Sequence, residues 1–489
     1  MREFHRLFTA VLGLSSVMGC SSSDDAPLPD EDPAVEMHAC VDLPLLPTAQ
    51  CGSLTAPFDR ADPGAGTTQI EFALIPRSDT SSAARGTVVP NPGGPGTSTI
   101  ALAGALYAEA LAPLREHWDL LLIDPRGVGR SERLVCATLA DPTRVFGSID
   151  EQRSAIGACG AELGAKARYY GTAAVADDFD DIRAGLGIAE LDLLGDSYGT
   201  FLMTVYAQRH PEHVRSVVLS GAYAVDRSTD AVTAQAVDRA MRLIGERTGA
   251  YDGAAAVDDL AAVAAQLRQQ PDTVEVEYGG QRYSLALDER RLASAVGKLY
   301  TGQPNVEGSA ALASAVHAAR GGDASELRAV VQAHLVTAAD VYADPEFYFD
   351  AVNWAAACHD YARAFRYADD AATRRAAFAR YVAGQASADF GAFSASAWLN
   401  RDIYDSGACL DWHNDTTAGL PFAAGTKLAD LPVLVLSGDL DANTPSPQGQ
   451  EAAAQFPHAT WMEVMNAGHT PSETAEGQRL IMDFISHAR

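Results

Sequence analysis

Four times along the chain a short, almost uninterrupted apolar run ends in a glycine-bearing turn. Gly86-Thr87-Val88-Val89-Pro90 leads into Asn91-Pro92-Gly93-Gly94-Pro95-Gly96, and Leu120 to Ile123 leads into Asp124-Pro125-Arg126-Gly127-Val128-Gly129. Leu191 to Leu194 leads into Gly195-Asp196-Ser197-Tyr198-Gly199, and Leu434-Val435-Leu436 into Ser437-Gly438. Runs this short and this apolar suit strands buried on both faces, as in a parallel sheet. Helical segments lie between them, at Val175 to Leu186 and from Thr200 to about Gln208, followed by the apolar Val217-Val218-Leu219. Strands that alternate with helices define an α/β class with a mostly parallel central sheet.

The texture changes from about Asp226 to Thr426. Long Ala/Leu/Arg stretches, including Ala231 to Arg247, Val257 to Gln269 and Ala310 to Ala319, carry apolar residues at helical spacing. One hairpin is predicted among them, Thr273 to Tyr278 with the turn Gly279-Gly280. Some 200 residues are too many for a loop, so residues 226–426 read as a mainly helical lid inserted into the core. The core itself then comprises residues 39–225 and 427–489, the second part with a strand at Thr460 to Val464.

At the N-terminus, Arg2 and Arg6 flank an apolar run from Leu7 to Val17 that is too short to span a bilayer. It ends in Gly19-Cys20, so residues 1–20 read as a secretory signal of the lipoprotein kind, with Cys20 the lipid anchor. The Ser/Asp/Pro-rich residues 21–38 read as a disordered tether. With Cys20 set aside, six cysteines remain: Cys40, Cys51, Cys136, Cys159, Cys358 and Cys409. An exported chain meets an oxidising compartment, so three disulfides are expected; six cysteines allow about 15 connectivities, and the reading taken is sequential pairing. No Cys-x-x-Cys or zinc-like Cys/His spacing occurs, and neither a metal nor an organic cofactor is expected. A net charge of −28 argues against nucleic acid and against polybasic attachment to anionic lipid. Contact with a membrane is expected only through the anchor, in the cell envelope, or not at all if the chain is secreted.

Gly195-Asp196-Ser197-Tyr198-Gly199 sits between a strand-like and a helix-like run, where two glycines permit a tight turn that exposes a serine hydroxyl. A nucleophilic serine needs a base and an orienting carboxylate. Asp441 follows the strand end at Gly438, with Asp439 as its competitor; His469 follows the last strand behind Gly468, with His458 as a less favoured base. An oxyanion hole is expected from the backbone N–H of Tyr198 and of Gly94, with Gly93 as the alternate. Other uses of the same chain remain open at this point: a hydrolase of small acyl esters, or a non-catalytic surface binding protein.

Pro92 to Gly96, Asp124 to Ser131, Gly195 to Thr200, Gly438 to Pro445 and Gly468-His469 together resemble the prolyl/tripeptidyl aminopeptidase family of exported bacterial α/β hydrolases. Ala356-Ala357-Cys358-His359-Asp360 and Cys409-Leu410-Asp411-Trp412 look like that family's cysteine motifs and support the Cys358–Cys409 pairing. The resemblance implies an α/β-hydrolase fold with a helical lid. It also implies serine exopeptidase action that releases short peptides or amino acids from peptides with a free N-terminus. Such action calls for acids that bind the substrate amine, with Glu277, Asp340, Asp344, Glu346 and Asp360 as candidates. Leu219-Ser220-Gly221 departs from the family by placing serine where such proteins often carry aspartate.

Overall fold

The computed structural model describes residues 34–41, 48–102, 110–228, 230–344, 348–402 and 405–488. The predicted signal segment with Cys20, and residues 21–33 of the predicted tether, lie outside the described residues.

The apolar runs become the centre of a sheet of β1 (Val35–His38), β2 (Gln50–Pro57), β3 (Thr67–Ile75), β4 (Thr87–Asn91), β5 (Asp119–Ile123), β6 (Leu191–Asp196) and β7 (Val214–Ser220). After the hairpin β8 (Asp272–Tyr278) and β9 (Gln281–Leu287), β10 (Val433–Gly438) and β11 (Ala459–Val464) complete it. Strand order is β1-β2-β3-β5-β4-β6-β7-β10-β11. Pairing is antiparallel from β1 to β5 and parallel from β5 through β4, β6, β7 and β10 to β11. Every residue of β4, β6 and β10 is buried, which explains why those runs lack alternation. Apolar clusters cover both faces of the sheet.

The sheet begins at Val35, inside the stretch read as tether. β1 pairs antiparallel with β2, from Val35 against Leu54 to His38 against Cys51, so residues 35–38 form an edge strand. Three of its four side chains are exposed, and its composition therefore looks like that of a linker.

Between β7 and β10 the chain is mainly helical, with helices at Asp230–Thr248, Gly253–Gln269, Glu289–Leu299, Val306–Arg320, Ser325–Ala343, Asp350–Asp360 and Ala371–Ala383. Asp252, Asp288 and Asn305 cap three of these, each side chain accepting from an N–H of the first turn. The predicted hairpin is present, with Val274 and Val276 buried on one face of β8. The insertion's apolar residues form a cluster of their own, joined by residues of the 136–170 segment.

The three disulfides are those predicted. Cys40–Cys51 fastens the segment after β1 to β2, with Cα atoms 5.0 Å apart. Cys136–Cys159 and Cys358–Cys409 each have Cα atoms 5.4 Å apart. Among the described residues no helix is long and apolar enough to cross a membrane.

Candidate active site

Gly94, Ser197, Asp441 and His469 follow the carboxyl ends of the parallel strands β4, β6, β10 and β11, where such sheets present their binding crevices. β6 runs directly into Ser197, whose backbone has φ 56° and ψ −123°, and the helix Tyr198–Arg209 begins one residue later. A positive φ at a non-glycine residue stores roughly 1–3 kcal/mol of strain, which the surroundings must hold in place. The flanking glycines make the turn fit. A Cβ on Gly195 would stand 2.3 Å from the Gly199 carbonyl oxygen, and one on Gly199 would stand 2.2 Å from that of Asn91. Tyr198 opens the helix, so its N–H has no carbonyl within the helix to bond.

The loop after β4 lies against this elbow. A Cβ on Gly93, which has φ 95°, would sit 2.8 Å from the Tyr198 nitrogen and 3.0 Å from the Ser197 Cβ. The Gly93 N–H, however, donates to Asn91 Oδ1 at 3.0 Å. For Gly93 to act as the alternate oxyanion donor, its N–H would have to exchange that bond for the substrate oxygen. Gly94, the first choice, has φ 111°.

Asp124, fully buried, pins the far side of the loop. It accepts from Ser98 Oγ at 2.9 Å, the Ile100 N–H at 3.0 Å and the Arg130 N–H at 2.8 Å. From the insertion, the Phe349 N–H donates to the Gly96 carbonyl at 2.9 Å. The neighbouring Arg126, also fully buried, binds Asp178 through Nε at 2.6 Å and Nη2 at 2.7 Å. It donates further to the carbonyls of Pro57, Phe58 and Tyr169. The Asp-Pro-Arg-Gly motif is thus scaffolding for the loops rather than part of the reacting centre.

Asp441 and His469 meet. Nδ1 of His469 is 3.2 Å from Asp441 Oδ2, with the Asp441 side chain fully buried and that of His469 10% exposed. The N–H groups of Asn443 and Thr444 donate to Asp441 Oδ1, and Thr444 Oγ1 donates to Oδ2 at 2.8 Å. Burial pushes the Asp441 pKa up, but His469 and these donors outweigh it, and the net shift is down. The carboxylate form is therefore the one held ready. Asp439, the competing acid, points elsewhere and pairs with Arg247 of the insertion at 2.6 Å. His458, the competing base, is exposed and pairs with Asp430.

Two features of this corner escaped the sequence reading. Nε2 of His469 lies 2.9 Å from Asn443 Nδ2, and among the described residues no hydrogen bond joins it to Ser197. Nothing in the residue type or spacing of Asn443 signals that contact. The insertion also grips the histidine loop: the His469 N–H donates to the Gly302 carbonyl at 3.1 Å and Gln303 Nε2 to that of Thr470 at 2.7 Å.

The candidate amine-binding acids are dispersed. Glu277 pairs with Arg282 on the exposed hairpin, and Glu346 lies outside the described residues. Asp360 accepts from both the N–H and the hydroxyl of Thr172, whose Oγ1 is also 2.8 Å from the Tyr198 hydroxyl. Asp180, His210 and His213 bring donor atoms within 4.8 Å of one another, although Asp180 lies 30 residues before His210 in the chain. Asp180 Oδ1 already accepts from Arg183, Tyr206 and His213, so the group reads as an ion-pair network. It lies near the far end of the helix Tyr198–Arg209, a 12-residue helix about 18 Å long.

Residues 86–312 match the family model described as the alpha/beta hydrolase fold, so the class defined by this sheet and its carboxyl-end loops is that of the α/β hydrolases. Residues 395–486 match a second model, described as TAP-like protein. The chain has the α/β-hydrolase fold, and its C-terminal part is similar to the TAP-like proteins. Over 202 residues it is 33% identical to the serine protease Hip1 of Mycobacterium tuberculosis, a stretch covering 38% of each chain. Over 204 residues it is 33% identical to the tripeptidyl aminopeptidase of Streptomyces coelicolor, covering 38% of this chain and 37% of that one. The match thus spans well under half the length of these relatives. The crystal structure of a proline iminopeptidase from Mycobacterium smegmatis aligns over 89% of this chain and 98% of its own, with 16% identity and a TM-score of 0.38.

Proposed function

We propose that the chain is an exported serine exopeptidase that releases short peptides or amino acids from the free N-terminus of peptides, without a metal or organic cofactor. One observation carries most of this reading. The loops after β10 and β11 bring a buried aspartate against a histidine, at the same carboxyl end of the strands as the strained Ser197 elbow. Similarity to a serine protease and to a tripeptidyl aminopeptidase supports peptides rather than esters.

In this mechanism Ser197 Oγ attacks the scissile carbonyl and its proton passes to His469 Nε2, which exchanges Asn443 for the serine as its partner. Asp441 holds the Nδ1–H tautomer and stabilises the imidazolium. The N–H groups of Tyr198 and Gly94 receive the oxyanion, and the imidazolium protonates the departing amine. Water, deprotonated by His469, then releases the acyl group and restores the serine. The insertion, residues 226–426, acts as the lid that limits how much peptide extends past the cut. Residues 1–20 direct export, and lipid on Cys20 holds the enzyme at the cell envelope.

Chromogenic tripeptidyl and aminoacyl amides, each with a free and an acetylated N-terminus, test this reading beside short acyl esters. Turnover of the free-amine amides, lost on acetylation, is expected. Preference for esters, or indifference to acetylation, would replace exopeptidase with esterase or endopeptidase action.

A further inference from the structure

Asp196, the middle residue of the first half of the elbow, is 3% exposed and is not used by the chemistry above. Its Oδ1 accepts a hydrogen bond from Ser472 Oγ. The Ser472 N–H donates to Ser220 Oγ at 3.1 Å, and the Ser197 N–H donates to the Ser220 carbonyl at 3.0 Å. These bonds close a ring through the nucleophile elbow, the end of β7 and the turn Pro471–Glu473, which begins two residues past His469. Ser220 thus sits within this ring through both its hydroxyl and its carbonyl. A hydroxyl there accepts from Ser472 and also steadies the Asp196 carboxylate, whereas a second carboxylate would repel it.

We propose that Asp196 is a positioning residue: its carboxylate, through Ser472, fixes the loop carrying His469 against the elbow carrying Ser197. The proposal rests on Ser197 and His469 being the nucleophile and base.

The charged groups facing Asp196 are His469 and Glu473. Burial pushes the Asp196 pKa up to about 6, with the Ser472 and Ser220 hydroxyls and His469 opposing and Glu473 adding to it. On protonation the group loses the negative charge that both strengthens the Ser472 bond and favours the imidazolium. Protonation of Asp196 therefore adds one proton to the acid limb of kcat/KM, and removing its carboxylate takes that proton away.

The test compares the full chain with Asp196→Asn and Ser472→Ala, recording kcat and KM on a chromogenic amide from about pH 4.5 to 8. Asp196→Asn keeps an acceptor for Ser472 but no charge. A fall in kcat of about 10- to 100-fold with nearly unchanged KM is expected, together with a limb reduced by one proton. Ser472→Ala, which cuts the tie but keeps the carboxylate, should lose kcat in the same direction with KM nearly unchanged. Wild-type kcat in either variant, or an unreduced limb in Asp196→Asn, overturns the proposal. Should Asp196→Asn fail to fold, Ser472→Ala decides on kcat alone. Ser197→Ala run alongside separates the two readings, because hydrolysis surviving in that variant removes the nucleophile assignment whatever Asp196 does.

Discussion

Replacing Gly93 by alanine perturbs the site without removing a functional side chain. The new Cβ would stand 2.6 Å from the Asp196 carbonyl oxygen, 2.8 Å from the Tyr198 nitrogen and 3.0 Å from the Ser197 Cβ. Two of these are backbone atoms of a turn that is itself strained, so no flexible side-chain tip can move aside. Holding alanine at φ 95° costs about 1–2 kcal/mol, and overpacking against the elbow adds about 1–3 kcal/mol. Relief by the loop backing away would pull Gly94 from its proposed place as an oxyanion donor beside the Tyr198 N–H. Loss of one such donor costs about 100- to 1,000-fold in kcat. The assay is kcat and KM on a chromogenic amide beside a thermal melt, with Gly419→Ala as control, since nothing lies within 4 Å of a Cβ at Gly419. Gly93→Ala should lose kcat by that factor and melt several degrees lower, while the control stays near wild type. Wild-type kcat in Gly93→Ala would refute the claim that this loop borders the reacting centre.

Asp441→Asn keeps the shape of the pair but favours the wrong histidine tautomer, and kcat should fall about 10,000-fold in steady-state assays with the fold intact by circular dichroism. Arg126→Met leaves Asp178 with Arg60 alone and uncovers three backbone carbonyls, so chemical denaturation should show a loss of about 3–5 kcal/mol. Removing Cys358–Cys409 by a double alanine substitution opens a 51-residue separation, for which loop entropy gives about 4 kcal/mol; a melt unchanged from wild type would contradict this.

What could be read from the sequence follows from where burial is complete. β4, β6 and β10 are buried along their whole length, so composition alone marked them. β1 is an exposed edge held by backbone pairing and a disulfide, and nothing in Val35-Glu36-Met37-His38 distinguishes it from a linker. At the site, Asp441 and His469 were legible because each follows a strand end in the order the fold needs. The bond between the Gly93 N–H and Asn91 was not, since it depends on the Asn91 side chain reaching a neighbouring N–H. Asn443, Ser220 and Ser472 were equally hidden, because their roles arise from loops brought together by β7, β10 and β11.

The most direct measurement of the central claim is covalent labelling by a fluorophosphonate, followed by peptide mapping. A single adduct on Ser197, absent from Ser197→Ala together with all hydrolysis beyond a residue about a million-fold lower, is the predicted result. An unlabelled Ser197, an adduct on another serine, or near wild-type turnover by Ser197→Ala would contradict it.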